Sequence, residues 1–153
     1  QLDFDLQQVT EKSKENPVFY VQYAHARINS VFKHASDLFG SKRFSITLIK
    51  KAPLTKLIDP AEINLIMQMA GWPGLIERAA IAHEPHRIAF YLYDLASSFH
   101  ALWNMGRDNT ELRFIVIEDE ELTSARLALL HCIRLVIASG LRIFGVEPMK
   151  EMR

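Results

Sequence analysis

The feature that most constrains the fold is a long segment of helical periodicity between Asn16-Pro17 and Gly40. Asparagine can cap the free N–H groups of a first helical turn, and proline suits the first helical position. Between these ends, apolar side chains recur at spacings of three and four residues, namely Val18, Val21, Ala24, Ile28, Val31, Ala35 and Leu38. This spacing is typical of a helix with one buried face, and Gly40 is a typical helix stop. The sequence therefore predicts a long helix that begins at Pro17.

A second helix with a complete start motif is predicted after Asp59-Pro60. Asp59 can accept hydrogen bonds from the first turn, and Glu62, three positions on, can reach back to the N–H of the cap. The predicted inward face consists of Ile63, Ile66, Met67 and Ala70. A Gly-Trp-Pro-Gly run at residues 71–74 breaks this helix, and a shorter helix is predicted over residues 75–82. The apolar positions of that shorter helix are Ile76, Ala79 and Ala80.

Two more long helices are predicted in the second half of the chain. The first opens at Pro85 and continues to Gly106, and its inward stripe is Ile88, Tyr91, Leu92, Leu95, Phe99 and Leu102. The last is capped by Thr123 and ends at Gly145, and its buried face is Leu127, Leu130, Val136, Ile137 and Leu141. Between them, residues 112–117 are rich in β-branched side chains and could be extended, but one such stretch cannot form a sheet alone.

These elements predict an all-α fold, an up-and-down helical bundle of about five helices. The 153 residues, 49% of them hydrophobic, suffice for one domain with a sizeable core. We expect residues 16–153 to form this bundle. Residues 1–15 start without a methionine and include an alternating stretch at residues 2–6. The chain therefore reads as a piece of a longer protein.

Composition and charge favour a soluble, cytoplasmic domain. No apolar run approaches the roughly 20 residues that cross a bilayer, and the single cysteine suits a reducing compartment. The net charge is zero, which argues against binding nucleic acid by bulk electrostatics. The charge is nevertheless uneven, because residues 41–58 carry five cations and no acid, whereas residues 111–121 carry five acids. The basic stretch is consistent with a solvated loop or with phosphate contact.

Candidate catalytic and metal-binding residues are few. His83 and His86 stand three residues apart across a proline, whereas a helical zinc site normally places histidines four apart on one face. His131 and Cys132 are adjacent, so on a helix they point in different directions and do not form a nucleophile with its base. The six glycines are scattered rather than grouped in a phosphate-binding loop. We therefore expect no catalytic or metal site, with Cys132 buried and with His83 and Glu84 as capping groups.

One edge of the first long helix carries Tyr20, Tyr23 and Arg27 at positions i, i+3 and i+7. Aromatic rings in such a row can stack on unpaired bases, while a guanidinium reaches phosphate or stacks in turn. The same spacing is also typical of tyrosines that close a core and keep their hydroxyls in water. From spacing alone both interpretations stay open, and core packing is favoured.

Four segments, which together span nearly the whole chain, closely resemble the anticodon-binding domain of arginine tRNA ligases. The longest is ENPVFYVQYAHARI at residues 15–28. The others follow in the same order: EPHR at 84–87 leading to FHALWN at 99–104, LTSARLAL at 122–129, and IASGL at 137–141 leading to the methionine at 152. The resemblance implies a C-terminal, DALR-type anticodon-binding domain of a class I synthetase.

The resemblance also implies what such a domain does and does not do. It would hold the anticodon loop of tRNA(Arg) while a separate catalytic domain attaches arginine, using ATP and Mg in the full-length enzyme. The HIGH and KMSK-like signatures of that catalytic domain are absent here, so the fragment is not expected to catalyse or to hold a cofactor. Residues 1–15 would be the remnant of the junction. The expected partners are tRNA(Arg) and the catalytic domain of the same chain, with no membrane and no DNA.

By position, the family's anticodon contacts would fall on Tyr20, Tyr23, Arg27, Phe99, Trp103 and Met152. Phe99 stands where relatives carry tyrosine, which keeps stacking and removes a hydroxyl hydrogen bond. Arg153 extends beyond the methionine with which the family commonly ends. The alternative function is a helical protein interaction module that docks on a partner or on its own catalytic domain.

Overall fold

The structure, a computed structural model, describes residues 16–151. Its α-helices are α1 (Pro17–Phe39), α2 (Ile46–Ile49), α3 (Pro60–Ala70), α4 (Trp72–Ala82), α5 (His86–Asp108) and α6 (Glu120–Ile143). Short 3-10 turns cover Leu54–Lys56 and Thr110–Leu112, and residues 16–151 contain no strand. The predicted all-α bundle of about five helices is confirmed, since α2 is a single turn. The predicted junction at residues 1–15, and Met152 and Arg153, lie outside the described residues.

Helix α1 has the ends that the sequence predicts. The side chain of Asn16 accepts hydrogen bonds from the N–H groups of Val18 and Phe19, at 3.1 and 3.3 Å. Gly40 ends the helix with a φ of +87°, a conformation that disfavours residues with a Cβ atom. The predicted apolar stripe is buried except at its two ends, where Val18 and Leu38 are about half exposed.

Helix α6 forms the centre of the core and packs against α1, α3 and α5. Within residues 16–151 it is the one helix long and apolar enough to meet a membrane-span criterion, but 61% of its apolar window is buried in the bundle. The helix starts at Glu120, because the side chain of Asp119 caps it by accepting from the N–H of Leu122 at 2.9 Å. The core therefore accounts for the apolar character of α6.

The predicted cap at Thr123 is wrong, and the fold gives this residue another task. Thr123 is fully buried inside α6. Its hydroxyl accepts from the N–H of Val116 at 2.8 Å and donates to the carbonyl of the same residue at 2.9 Å. These two bonds satisfy backbone groups that a strand would have paired with a neighbouring strand. Residues 112–117 therefore pack as an irregular segment.

The predicted inward face of α3 is also wrong. Ile63, Ile66 and Met67 are exposed, Ala70 is exposed too, and the buried residues of the helix are Glu62 and Leu65. The predicted capping box at Asp59 and Glu62 is confirmed. Compared with the prediction, the helix is rotated so that Glu62 faces inwards, because its carboxylate pairs with a buried guanidinium.

That guanidinium belongs to Arg126, and it forms a buried ion pair that joins three parts of the chain. Its Nε donates to Oε1 of Glu62 at 2.6 Å, and both side chains are at most 5% exposed. Its Nη1 donates to the backbone carbonyls of Glu111 and Arg113, each at 2.7 Å. The other carboxylate oxygen of Glu62 accepts from the N–H of Asp59 at 3.2 Å. The pair therefore fixes α3 and the 111–113 segment against α6.

The two oppositely charged segments of the sequence contact each other. Arg43 forms an ion pair with Glu120, and Lys56 donates to both carboxylate oxygens of Asp119 at 2.8 and 3.0 Å. Lys56 also lies 3.2 Å from a carboxylate oxygen of Glu121. Two of the five cations in residues 41–58 thus form ion pairs with acids at the start of α6.

Candidate nucleic-acid interface

A row of rings and one guanidinium lies where α1 and α5 pack together. Helix α1 contributes the predicted edge, and α5 contributes a row at positions i, i+7 and i+10. We call this set the aromatic surface: Tyr20, Tyr23, Arg27, Tyr93, His100 and Trp103. Tyr20, Tyr23, Arg27 and Trp103 are half-buried and Tyr93 is exposed, so the surface reaches solvent.

Arg27 is held between two rings of this surface. Its Cζ lies 4.2 Å from the ring centroid of Tyr23 and 4.8 Å from that of Trp103. Each such cation–π contact contributes about 0.5 to 2 kcal/mol, depending on how far it is desolvated. The guanidinium and the two half-buried rings are therefore presented in fixed positions, which lowers the entropy lost when a planar ligand binds.

His100 lies beneath this surface and fixes Arg27 from below. Nη1 of Arg27 lies 3.3 Å from Nδ1 of His100, and arginine can only donate, so Nδ1 accepts. The imidazole proton is then on Nε2, which donates to the backbone carbonyl of Tyr20 at 3.4 Å. The His100 ring centroid is 4.6 Å from that of Tyr20 and 5.4 Å from that of Tyr23. Burial, assisted by the charge of Arg27, lowers the pKa of His100 to about 4.

This shift predicts a loss of stability in mild acid. The folded pKa of about 4 lies below the ordinary value of 6.5, so the unfolded chain takes up the proton first as the pH falls. The free energy of unfolding should therefore decrease as the pH falls from about 6.5 towards 4, and should be fully retained above that window. His100→Gln should flatten the dependence in urea unfolding at pH 7 and 5. An unchanged slope in the variant would contradict the assignment, since His25 and His131, whose pKa values burial also lowers, would then account for all of it.

The predicted contact residue Phe99 does not reach the aromatic surface. Its side chain is 0% exposed. Its ring packs edge-on against Trp103, with centroids 6.1 Å apart, and stacks on Phe114 at 6.0 Å. Phe99 can therefore support the position of Trp103 but presents no face to a ligand. Met152 lies outside the described residues, so its predicted contact stays a prediction.

Two residues of the aromatic surface were missed by sequence reasoning. Tyr93 and His100 share an edge of α5 with Trp103, and their seven-residue spacing was available in the sequence. The Tyr93 ring packs against Tyr20 with centroids 5.2 Å apart. The sequence alone does not show which edge of α5 contacts α1, so these two residues could not be separated from the buried stripe beside them.

The last described segment of the chain is bound to the other edge of α1. The side-chain amide of Gln22 donates to the carbonyl of Glu147 at 2.9 Å and accepts from the N–H of Met149 at 2.7 Å. Nδ1 of His25 lies 2.6 Å from the carbonyl oxygen of Met149 and therefore donates to it. Both α1 side chains are buried. Gln22 and His25 thereby hold residues 147–149 through main-chain atoms of that segment.

The other candidate residues, His83, Glu84 and Cys132, form no metal-binding cluster in the described part of the chain. His83 ends α4 in the left-handed conformation, with a φ of 56°, and Glu84 forms an ion pair with Arg87. Residues 16–151 contain no group of three or more His, Cys, Asp or Glu side chains placed to hold a metal ion. Cys132 is exposed, so the prediction that it is buried is wrong.

The described residues thus form a helical bundle in which a guanidinium is fixed between two aromatic rings. Residues 21–152 match the family described as the DALR anticodon binding domain, and the chain belongs to this family.

Relatives of known name agree with this assignment. The chain is 53% identical over 99% of its length to the arginine–tRNA ligase of Azorhizobium caulinodans, and 54% identical over 99% of its length to that of Rhodospirillum rubrum. It spans 26% of the length of each of these relatives. The arginyl-tRNA synthetase structure of Thermus thermophilus superposes with a TM-score of 0.77 at 30% identity, over 99% of this chain and 24% of that one.

Proposed function

We propose that this chain binds the anticodon loop of tRNA(Arg) through the aromatic surface, as part of an arginine tRNA ligase. The observation that supports this most is the position of Arg27, which is fixed between Tyr23 and Trp103 on a half-exposed face. Unpaired bases stack on aromatic or guanidinium planes, and each stacked base contributes roughly 1 to 3 kcal/mol. Stacking needs no broad positive field, which agrees with the net charge of zero.

The larger protein of this proposal attaches arginine to tRNA with ATP and Mg in the cytoplasm. Catalysis belongs to a separate domain, and this chain supplies neither catalytic residues nor a cofactor. Its task is to hold one end of the tRNA so that the acceptor end reaches the distant active site. The names of the relatives, together with the 26% of their length that the chain spans, support this division of labour.

The exposed apolar stripe of α3 supports docking on the catalytic domain of the same protein. Ile63 and Ile66 are 42% and 36% exposed, and Met67 is 68% exposed. An apolar row on one helix is costly to leave in water. A protein interaction module is therefore the second candidate function, and it would use this face rather than the aromatic surface.

Binding of tRNA with an altered anticodon tests the proposal. The chain is mixed with a tRNA(Arg) transcript, or with the same transcript carrying a scrambled anticodon loop, and binding is followed by gel mobility and tryptophan fluorescence at low salt. We expect weak binding that depends on the anticodon. Equal binding of both transcripts would contradict the proposal. A response to added catalytic domain but not to tRNA would favour the interaction module.

A further inference from the structure

A cavity of about 470 Å³ lies between α1, α6 and the terminal segment, on a different face from the aromatic surface. Its wall includes His25 and Asn29 from α1, and the main chain that Gln22 and His25 hold. The cations that line it are Lys33, Arg134, Arg142 and Lys150. We call this cavity the basic pocket.

Arg134 is the cation of the basic pocket that makes the most side-chain contacts. Its Nη1 donates to Oδ1 of Asn29 at 2.8 Å, and its Nη2 lies 3.0 Å from Nδ1 of His131. Its Cζ also lies 4.7 Å from the ring centroid of Phe32. Three neutral groups therefore hold the guanidinium in one orientation, and three of its five N–H donors remain for a ligand.

No carboxylate of the described residues forms an ion pair with Arg134. The side chain is half-buried, and burial lowers its pKa from the ordinary value. A desolvated cation whose neighbours are all neutral gains most from an anion that enters the site. Arg134 therefore lacks a counter-ion in the described residues and keeps N–H donors with which it can bind an anion.

The remaining charges of the pocket also favour an anion. The two acids in its lining are Glu147 and Glu151, against four cations. The one ion pair among these side chains joins Arg142 to Glu147, at 3.9 Å and with both side chains exposed. Lys33 is exposed and forms no ion pair within residues 16–151. The net positive potential at the pocket is therefore not cancelled by its own walls.

We propose that the basic pocket binds a phosphate group of the tRNA backbone, one helix width away from the bases held at the aromatic surface. This proposal rests on the proposed function. Ser30 lines both the basic pocket and a second cavity, which Trp103 of the aromatic surface also lines, so the two sites lie on neighbouring faces of α1. A helix with its side chains is roughly 10 Å across, a distance that a strand of a few nucleotides can span.

The two sites would have different tasks. A planar guanidinium matches two phosphate oxygens at once, and a lysine adds a point charge beside it. Phosphate contacts fix the register of the RNA and carry no sequence information, whereas base contacts carry specificity. The basic pocket would therefore add affinity for any tRNA, and the aromatic surface would add dependence on the anticodon.

Variants of the pocket test this inference in the whole chain. Lys33→Gln removes a charge from an exposed side chain, and Arg134→Lys keeps the charge but loses the planar fork. Arg78→Gln is the control, because Arg78 is exposed on α4, forms no ion pair in the described residues and lies outside both the pocket and the basic stretch at residues 41–58. The affinity for tRNA(Arg) and for the scrambled-loop transcript is measured between about 50 and 200 mM salt, and thermal unfolding of each variant is recorded.

We expect Lys33→Gln to weaken binding of both transcripts by roughly 5- to 10-fold, the scale of one ordinary hydrogen bond. The slope of log affinity against log salt should fall by about 0.7 to 0.9, and the preference for the correct anticodon should not change. Arg134→Lys should weaken binding of both transcripts as well, and Arg78→Gln should leave it intact.

Three results separate this proposal from the proposed function. If Lys33→Gln binds like Arg78→Gln while the anticodon preference persists, the pocket proposal is overturned and the proposed function stands. If wild type ignores the anticodon but Lys33→Gln still weakens binding, the phosphate site is supported and the proposed function fails. If inorganic phosphate alone protects the wild type, but not Lys33→Gln, against thermal unfolding while tRNA affinity is equal in the two, the pocket takes free phosphate and the RNA assignment is wrong.

Discussion

Trp103→Ala should lower the affinity of the chain for tRNA(Arg) by roughly 5- to 150-fold, the equivalent of about 1 to 3 kcal/mol for one lost stacking platform. The substitution removes one of the two rings that form cation–π contacts with Arg27, so the guanidinium also loses its fixed position. Binding to the scrambled-loop transcript should fall much less. Equilibrium titration of both transcripts, well below the unfolding temperature, gives the two affinities.

The control for Trp103→Ala is an aromatic residue on the same helix that lies outside the aromatic surface. Phe90 is 67% exposed on α5 and its ring contacts that of His86, so Phe90→Ala removes a ring that has no contact with Arg27 among the ring and cation–π pairs of the described residues. Tyr23→Ala is the companion variant, since its ring carries the other side of the guanidinium. If Trp103→Ala and Phe90→Ala bound both transcripts equally well, the aromatic surface would not be the base-binding site.

Glu62→Gln should reduce the free energy of unfolding by about 3 to 5 kcal/mol, because it leaves the buried charge of Arg126 without a counter-ion. Glutamine can still reach back to the N–H of Asp59, so the start of α3 keeps its capping box. The loss therefore reports on the ion pair rather than on the helix cap. Urea unfolding at neutral pH measures it.

An exposed ion pair provides the comparison for Glu62→Gln. Glu120 and Arg43 have side chains that are 44% and 59% exposed, and Glu120→Gln should cost at most about 1 kcal/mol. Similar losses in the two variants would show that burial of Glu62 and Arg126 adds nothing to their coupling. A Glu62→Gln chain as stable as the wild type would show that Arg126 finds another counter-ion.

The ends of the helices were predictable because they depend on local chemistry. The caps at Asn16 and Asp59, and the stop at Gly40, follow from side chains that satisfy or release backbone groups within one turn. The inward face of α3 was not predictable in the same way. Periodicity assigns apolar side chains to the core, whereas Glu62 is buried because Arg126, 64 residues away, holds it there.

The candidate site was also only partly predictable from the sequence, because helix packing decides which of two adjacent residues faces it. The edge formed by Tyr20, Tyr23 and Arg27 is visible in the spacing of α1, but its partners on α5 depend on how the two helices pack. Successive residues of a helix point about 100° apart. The sequence resemblance therefore assigned a contact to Phe99, which faces the core, and missed His100, which faces the tyrosines.

The position of residues 147–149 depends on side chains that are distant in the sequence. Gln22 and His25 grip only peptide groups of residues 147–149, at sequence separations of 124 to 127 residues. Substitution of a side chain in that stretch therefore need not break these three hydrogen bonds. Substitution of Gln22 or His25 would remove these hydrogen bonds, because the amide and the imidazole themselves make them. The position of residues 147–149 therefore depends on two side chains of α1.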